Sequence, residues 1–237
     1  MLIGPYINGT AVVMGGMSGA FLGAKLPERI RTSLPQTFGL ASMGLGIALI
    51  VKVHFLPAVV LSLVIGAILG EVFYLEKNIG KIGGIARSFA DKISPPQGGI
   101  THEEFQEKFV AILVLFCASG TGIFGAMTEG MTGDPSILYV KTILDLFTSA
   151  IFATALGYSV AAIAIPQLTI QLLLAVGATH ILPLTTPAMM GDFSATGGLI
   201  MLATGLRICG IKVFPVANLL PALILIMPFH HIWSLFF

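Results

Sequence analysis

The stretch Gly133 to Val160, GDPSILYVKTILDLFTSAIFATALGYSV, decides the class of fold. It is long and apolar enough to cross a bilayer, yet it carries Lys141 and Asp145 inside it. Asp134 before Pro135 has the pattern of an N-cap followed by proline at the first helical position, which predicts a helix from Pro135. At about 1.5 Å per residue, Asp145 then lies roughly 15 Å deep, near the midplane of a hydrocarbon core about 30 Å thick. A carboxylate at that depth costs roughly 2.5–3.5 kcal/mol on insertion scales, so it is expected to face protein or water rather than lipid. Lys141 sits one turn away on the same helical face, within reach of an ion pair.

The rest of the chain has the same character. Of its 237 residues, 56% are hydrophobic and 10% charged, and the mean hydropathy is +0.97. Soluble domains carry roughly 25% charged residues, so an integral membrane protein is indicated. The 28 glycines suit close helix packing in lipid. A net charge of +1 gives no reason to expect nucleic acid as a partner. Cys117 and Cys209 fall in apolar stretches with no CxxC neighbour and read as buried apolar residues. Met1 is followed by LIGPYINGTAVV without a basic segment, so a first spanning helix is expected rather than a removed signal peptide.

Read outward from the central stretch, the sequence predicts an all-α bundle of about eight spans forming a single membrane domain over 1–237. Ile3 to Ala24 is the first, with Gly15, Gly19 and Gly23 on one face, followed by a short basic loop through Lys25, Glu28, Arg29 and Arg31. Gln36 to Val51 and Phe55 to Leu75 are the second and third. The connector 76–104 is the sizeable polar segment. Ile79, Ile82, Ala86, Phe89 and Ile93 at helical spacing, with lysines and Arg87 between them, suggest an interfacial helix, with a solvated connector as the alternative. Thr101 and Glu104 have capping-box spacing. Lys108 to Met127 is the fourth span, with Gly120, Gly122 and Gly125 near its end. The central helix is the fifth, closed by Pro166. Gln167 to Leu184 spans or re-enters. Asp192 to Gly210 and Val213 to Phe237 complete the set, the last interrupted by Pro215, Pro221 and Pro228.

Charge orients the bundle. With eight spans and the N-terminus outside, ten of the twelve Lys and Arg residues fall on the cytoplasmic side, leaving only Lys52 and Lys141 opposite. A candidate internal repeat fits that topology. Thr37-Phe-Gly-Leu followed by Gly46, Phe55, Ala58 and Leu61 aligns with Thr196-Gly-Gly-Leu followed by Gly205, Phe214, Ala217 and Leu220 at an offset of 159 residues. The two hairpins would point in opposite directions, as in inverted-repeat transporters; chance similarity of two glycine-rich hairpins is the alternative.

The candidate binding residues are Asp145, Lys141, Asn8, Asn218, Thr148 and Ser149. Asp145 reads as a proton or cation site, or as half of a buried ion pair that only fixes packing. Thr148, Ser149 and Thr154 extend the polar surface of its helix. Asn8 in GPYIN and Asn218 in VANLLP sit at helix interruptions, where freed carbonyls and an amide can bind an ion, or where the amide merely caps the break. Glu129 and Asp134 in TEGMTGDP read as a solvated loop with an N-cap. His180 could shuttle protons or be satisfied by a neighbouring helix. His230 and His231 are adjacent rather than at i, i+4 spacing, so interfacial placement is expected over metal binding, and Arg207 and Lys212 read as orientation signals.

Three functional classes compete. A secondary transporter or channel for a small solute or ion fits the intramembrane polar residues; the chain has no GxxxxGK[ST] loop for driving transport by ATP. An enzyme is not expected. Asp134 stands roughly 16 Å along the axis from Asp145, too far to share a proton, and Ser119 sits in CASG rather than GxSxG. A structural or signalling scaffold packed through glycine faces is the third. No cofactor or metal is expected; the expected partners are membrane lipids, a small solute or ion, and further copies of the chain.

Three motifs carry a resemblance over essentially the whole length: GPYINGTAVVMGG with LGAKLPERI, GDPSILYVKTILD with ATALGYSVAAIAIPQL, and TGGLIMLATGL with VANLLPAL. Together they resemble the YqgA and YdfK-like proteins, a family of uncharacterised bacterial integral membrane proteins with a domain of unknown function. The resemblance implies a multi-pass protein of the bacterial inner membrane, often described as a transporter, and brings no catalytic residues. Its motifs contain Asn8, Asp134, Lys141, Asp145 and Asn218.

Overall fold

The computed structural model describes residues 2–22, 25, 27–78, 105, 109, 112, 113, 115–117, 119–180 and 182–236. Most of the connector, from 79 to 104, with its interfacial helix and capping box, lies outside the described residues. Among the described residues the chain is helical and contains no strand. In chain order the helices are α1 (Gly4–Leu22), α2 (Glu28–Ile50), α3 (Leu56–Val72), α4 (Gly120–Thr132), α5 (Ser136–Leu156), α6 (Ser159–Ala162), α7 (Ala164–Thr179), α8 (Pro187–Ile208), α9 (Val216–Leu219) and α10 (Ala222–Ser234), with a 3-10 turn at Leu182–Leu184 before α8. Ser136–Leu156, Ser159–Thr179 and Val216–Ser234 are long and apolar enough to cross a membrane, and Gln36–Ile50 and Leu56–Val72 are shorter apolar helices.

Several boundaries differ from the sequence expectation for identifiable reasons. The basic segment after α1 is not all loop, because α2 already starts at Glu28. The Gly120 to Gly125 run opens a helix rather than closing one: Ser119 is extended, and its hydroxyl accepts from the Gly122 amide at 3.3 Å as an N-cap. Pro166 does not end the central helix. It lies in the first turn of α7, where a missing N–H is harmless, and α5 ends at Gly157 with φ 64° and ψ −153°. That backbone region is essentially closed to residues with a Cβ. Gly157→Ala is therefore expected to cost about 1–3 kcal/mol, read as a lower midpoint of thermal unfolding in detergent micelles; an unchanged midpoint would contradict the assigned break.

The chain forms two compact units, Met1–Pro35 with Ile79–His180, and Gln36–Asn78 with Ile181–Phe237. In the first, α1 lies parallel to α5, with Gly15 against Leu146 and Ser149 and Gly19 against Ala150. The glycines let the backbones touch: the nearest atoms include the carbonyl oxygens of Leu146 and Ala150. Gly9 against Leu168 and Gly16 against Ala161 set α1 antiparallel to the α6–α7 segment. A core of Val12, Phe105, Phe109, Ile112, Phe116, Leu156 and Val160 fills the interior. Outward, Met14, Met17, Phe21, Ile143, Phe147, Leu173 and Val176 are exposed. Such an apolar surface is what a lipid-facing helix presents.

In the second unit, α2 and α8 run antiparallel and cross at two glycine pairs. A Cβ at Gly46 would lie 2.6 Å from the Gly198 oxygen, and one at Gly198 would lie 2.5 Å from the Gly46 oxygen. Gly39 and Gly205 face each other in the same reciprocal way, at 2.8 and 2.5 Å. Between the pairs, the Ser42 hydroxyl donates to the Met201 carbonyl at 3.0 Å. Gly66 against Ala222 and Gly70 against Asn218 set α3 antiparallel to the α9–α10 segment.

Candidate functional site

The apolar face of α5 is interrupted by two buried charges. Lys141 and Asp145 are 3% and 6% exposed, and Nζ donates to Asp145 Oδ2 at 2.6 Å. Lysine precedes aspartate, the i, i+4 order worth less to an isolated helix, so helix stability alone is a weak reason for the pair. Three further side chains close around it. Asn8 on α1 donates Nδ2 to Asp145 Oδ2 at 2.8 Å. Gln167 on α7 donates Nε2 to the same oxygen at 2.7 Å and to Asn8 Oδ1 at 2.5 Å. Gln171, one turn on, donates Nε2 to Asn8 Oδ1 at 2.7 Å. Asn8 and Gln167 are fully buried, and Gln171 is 2% exposed. The Lys141 ammonium also lies over the Phe116 ring, 5.4 Å from its centroid. Gly122 on α4 makes room for the lysine stem, since a Cβ there would lie 2.7 Å from Lys141 Cε.

The amide orientations are mutually determined. Reversing Gln167 would set its oxygen against the Asp145 carboxylate, and reversing Gln171 would set oxygen against the oxygen of Asn8. In the arrangement that satisfies every nitrogen, Gln167 Oε1 and Gln171 Oε1 are left buried without a partner. Buried carbonyl oxygens in that condition are uncommon and call for an explanation.

Of the sequence-derived candidates, Asp145, Lys141 and Asn8 therefore come together. Ser149 is buried, donates to the Leu146 carbonyl at 3.0 Å and packs against Gly15, so it serves the α1–α5 contact. Thr148 is partly exposed. Asn218 makes its hydrogen bonds within the second unit, accepting from the Glu76 amide and donating to Glu71 Oε1, both at 2.8 Å. Gln167 and Gln171 were not among the sequence-derived candidates; the signal that could have found them is two amides at i, i+4 in an apolar segment, which carry a burial cost of the same kind that singles out Asp145.

Other polar residues also differ from expectation. Glu129 is not in a solvated loop. It is 1% exposed, and its Oε1 accepts from the Ile3 and Gly4 amides at 2.7 and 3.0 Å, capping α1. Asp134 is exposed and accepts from the Ser136 amide at 3.0 Å. His230 is buried rather than interfacial, with Nδ1 2.6 Å from Asp192 Oδ2. Asp192 also accepts from the His54 and Phe55 amides at 2.6 and 2.9 Å, capping α3. Arg207 does more than orient the chain: it pairs with Glu76 and donates to the Phe214 carbonyl at 3.1 Å. The other carboxylate oxygen of Glu76 accepts from Ala217 N at 2.8 Å, at the start of α9. His180 and His231 are exposed, and Cys117 and Cys209 are free and partly exposed. Among the described residues no group of three or more His, Cys, Asp or Glu side chains is placed to hold a metal ion.

Apolar helices with an apolar exterior and a buried charged cluster define a helical membrane protein. The chain belongs to the family described as "Protein of unknown function (DUF554)", which it matches over residues 3–231. It is 58% identical to "Uncharacterized protein YqgA" of Escherichia coli (strain K12), over the full length of both chains. It is 26% identical to "Uncharacterized membrane protein YdfK" of Bacillus subtilis (strain 168), over 94% of this chain and 93% of that one. No solved structure matches it.

Proposed function

We propose that this protein is a secondary transporter or channel of the bacterial inner membrane that passes a small solute or ion by Asp145. The observation that carries the reading is the Asp145, Lys141, Asn8, Gln167 and Gln171 cluster, buried at mid-length of a helix long enough to span. A charged pair at that depth is costly and is typically retained where a polar species must pass. Oxygens left without partners beside it add to the case.

The proposed architecture is a single membrane domain of about eight spans with the N-terminus outside, supported by the distribution of Lys and Arg and by the repeat. Ser42 and Met201, which touch, are 159 residues apart, and so are Asn8 and Gln167. The same offset exchanges the Gly39–Gly205 crossing with the Gly198–Gly46 crossing. Pairs related in this way, on antiparallel helices, are what an inverted repeat places on its pseudo-two-fold axis. The reading assigns no covalent chemistry to the site, and it includes self-association through glycine faces.

The test is a single cysteine at Asp145 in a Cys117→Ala, Cys209→Ala background, treated from each side with a membrane-impermeant thiol reagent. Labelling that a permeating solute slows is expected. Complete protection in the folded protein would favour the competing scaffold reading, which draws on the backbone contacts of Gly15 and Gly19 with α5.

A further inference from the structure

Asn8 and Gln167 are 159 residues apart and bonded to each other, and Gly9 against Leu168, one residue on, repeats the offset. Residues that an inverted repeat exchanges therefore meet at this point of the first unit. Both amides donate to one oxygen, Asp145 Oδ2, Asn8 Nδ2 from 2.8 Å and Gln167 Nε2 from 2.7 Å. To that extent the two repeats are used alike. They differ in the bond between the amides: Gln167 Nε2 donates to Asn8 Oδ1 at 2.5 Å, while Gln167 Oε1 is buried without a partner. An amide pair has two ways to make that bond. Exchanging the roles of the repeats gives the other, in which Asn8 Nδ2 spends its two N–H groups on Asp145 Oδ2 and Gln167 Oε1. The orphaned oxygen is the acceptor of that second arrangement.

Asn8, Gln167 and Asp145 make the same number of hydrogen bonds among themselves either way, so another contact selects the observed arrangement. Gln171 supplies it, donating Nε2 to Asn8 Oδ1 at 2.7 Å. The residue 159 before Gln171 is Val12, fully buried, and its side chain has no donor to offer Gln167 Oε1. The surroundings of the two helices are uneven as well. Gly16 lies against Ala161, whereas Ala175, the residue 159 beyond Gly16, has Gly130 of α4 as its close neighbour. Glu129 caps the start of α1 through the Ile3 and Gly4 amides, while Ile163 at the start of α7 makes no side-chain cap.

Resting on the inverted-repeat transport reading, we infer that the first unit has a second conformation in which α1 and α7 exchange environments and the Asn8–Gln167 bond reverses, and that Gln171 is the positioning residue that holds the observed one. Asp145 keeps both amide donors in the two states, so no charge is uncovered and no proton moves. The bias is modest. One net hydrogen bond favours a state by roughly two- to twelvefold, small enough for the other state to be reached at equilibrium.

The experiment reads two distances by pulsed electron spin resonance in the full chain, in lipid nanodiscs and a Cys117→Ala, Cys209→Ala background. One nitroxide pair is placed at Phe21→Cys and Ile165→Cys, the other at Tyr6→Cys and His180→Cys, all exposed positions. The 159-residue offset carries Tyr6 to Ile165 and Phe21 to His180, so exchange of the repeats converts the distance of each pair into that of the other. The parent is expected to show one major distance per pair, the two being different. In Gln171→Leu each pair should gain, at the value that is major for the other pair, a population roughly two- to twelvefold larger than in the parent. The swap Val12→Gln, Gln171→Val should make the exchanged distances the majority. If one of these variants is not monodisperse, the other decides. Were Gln171 to serve packing alone, Gln171→Leu would lower the thermal midpoint and leave both distances unchanged, which overturns the inference. Equal distances for the two pairs in the parent also overturn it, because the repeats would then already share one conformation. Unchanged distances together with labelling at position 145 remove this inference and leave the transport reading. Exchanged distances in a protein sealed at position 145 do the reverse.

Discussion

Lys141→Met is expected to destabilise the folded chain by about 3–5 kcal/mol, the range for removing one partner of a buried ion pair. The change keeps most of the side-chain volume beside Gly122 but leaves Asp145 as an uncompensated charge that is 6% exposed. The amides of Asn8 and Gln167 still donate to Oδ2, at 2.8 and 2.7 Å, and these neutral donors offset only part of the loss. The double variant Lys141→Met, Asp145→Leu removes both charges and should recover part of the stability. It cannot recover all of it, because Asn8 Nδ2 loses its acceptor and Gln167 Nε2 loses one of two. Thermal midpoints of the single and double variants in micelles, read as a double-mutant cycle, check this. A single variant as stable as the parent would show that the pair is not buried as described.

The second large effect is expected at Asp192. Its carboxylate is fully buried and holds three donors from two directions, the His54 and Phe55 amides at the start of α3 and His230 on α10. Hydrogen bonds to a charged group are worth about 1.5–3 kcal/mol each, so Asp192→Ala should cost on the order of 4 kcal/mol or more once the shared contribution of the three is counted. Asp192→Asn keeps an acceptor oxygen for the backbone and should lose clearly less. The comparison is made by thermal unfolding in micelles, with hydrogen exchange at the Phe55 amide as the local readout. Equal losses in the two variants would mean that the charge, rather than the acceptor geometry, carries the contribution.

Much of the membrane character was legible in the sequence, because lipid imposes its rule on individual helices. A segment that crosses a bilayer must be apolar over a fixed length, and a charge inside it stands out. Asp145 and Lys141 follow from counting along one helix, and their 2.6 Å contact from i, i+4 spacing. Asn8 was visible as an amide in an apolar segment, but the interruption expected beside it is not there: Gly4 and Pro5 open α1, where proline's missing N–H is harmless, and Asn8 lies within the unbroken helix. Boundaries were less secure where glycine and proline have more than one use. Pro166 breaks a helix interior but suits a first turn, and Gly157 ended α5 through a dihedral region that composition does not announce.

Membrane class, the central helix and its buried pair are thus properties of the sequence, since periodicity and transfer cost are local and additive along the chain. Which donors satisfy Asp145 is a property of the tertiary structure. Gln167 reaches it from 22 residues away and Asn8 from 137, through glycine contacts that bring α1 against α5 and α7. The caps by Glu129 and Asp192 are decided in the same way, because a carboxylate distant in sequence satisfies a helix N-terminus only after packing has delivered it. Hydrogen bonding is directional and short-ranged. Pattern alone names the residues that need partners, and the fold chooses the partners and leaves the Oε1 atoms of Gln167 and Gln171 in this cluster without one.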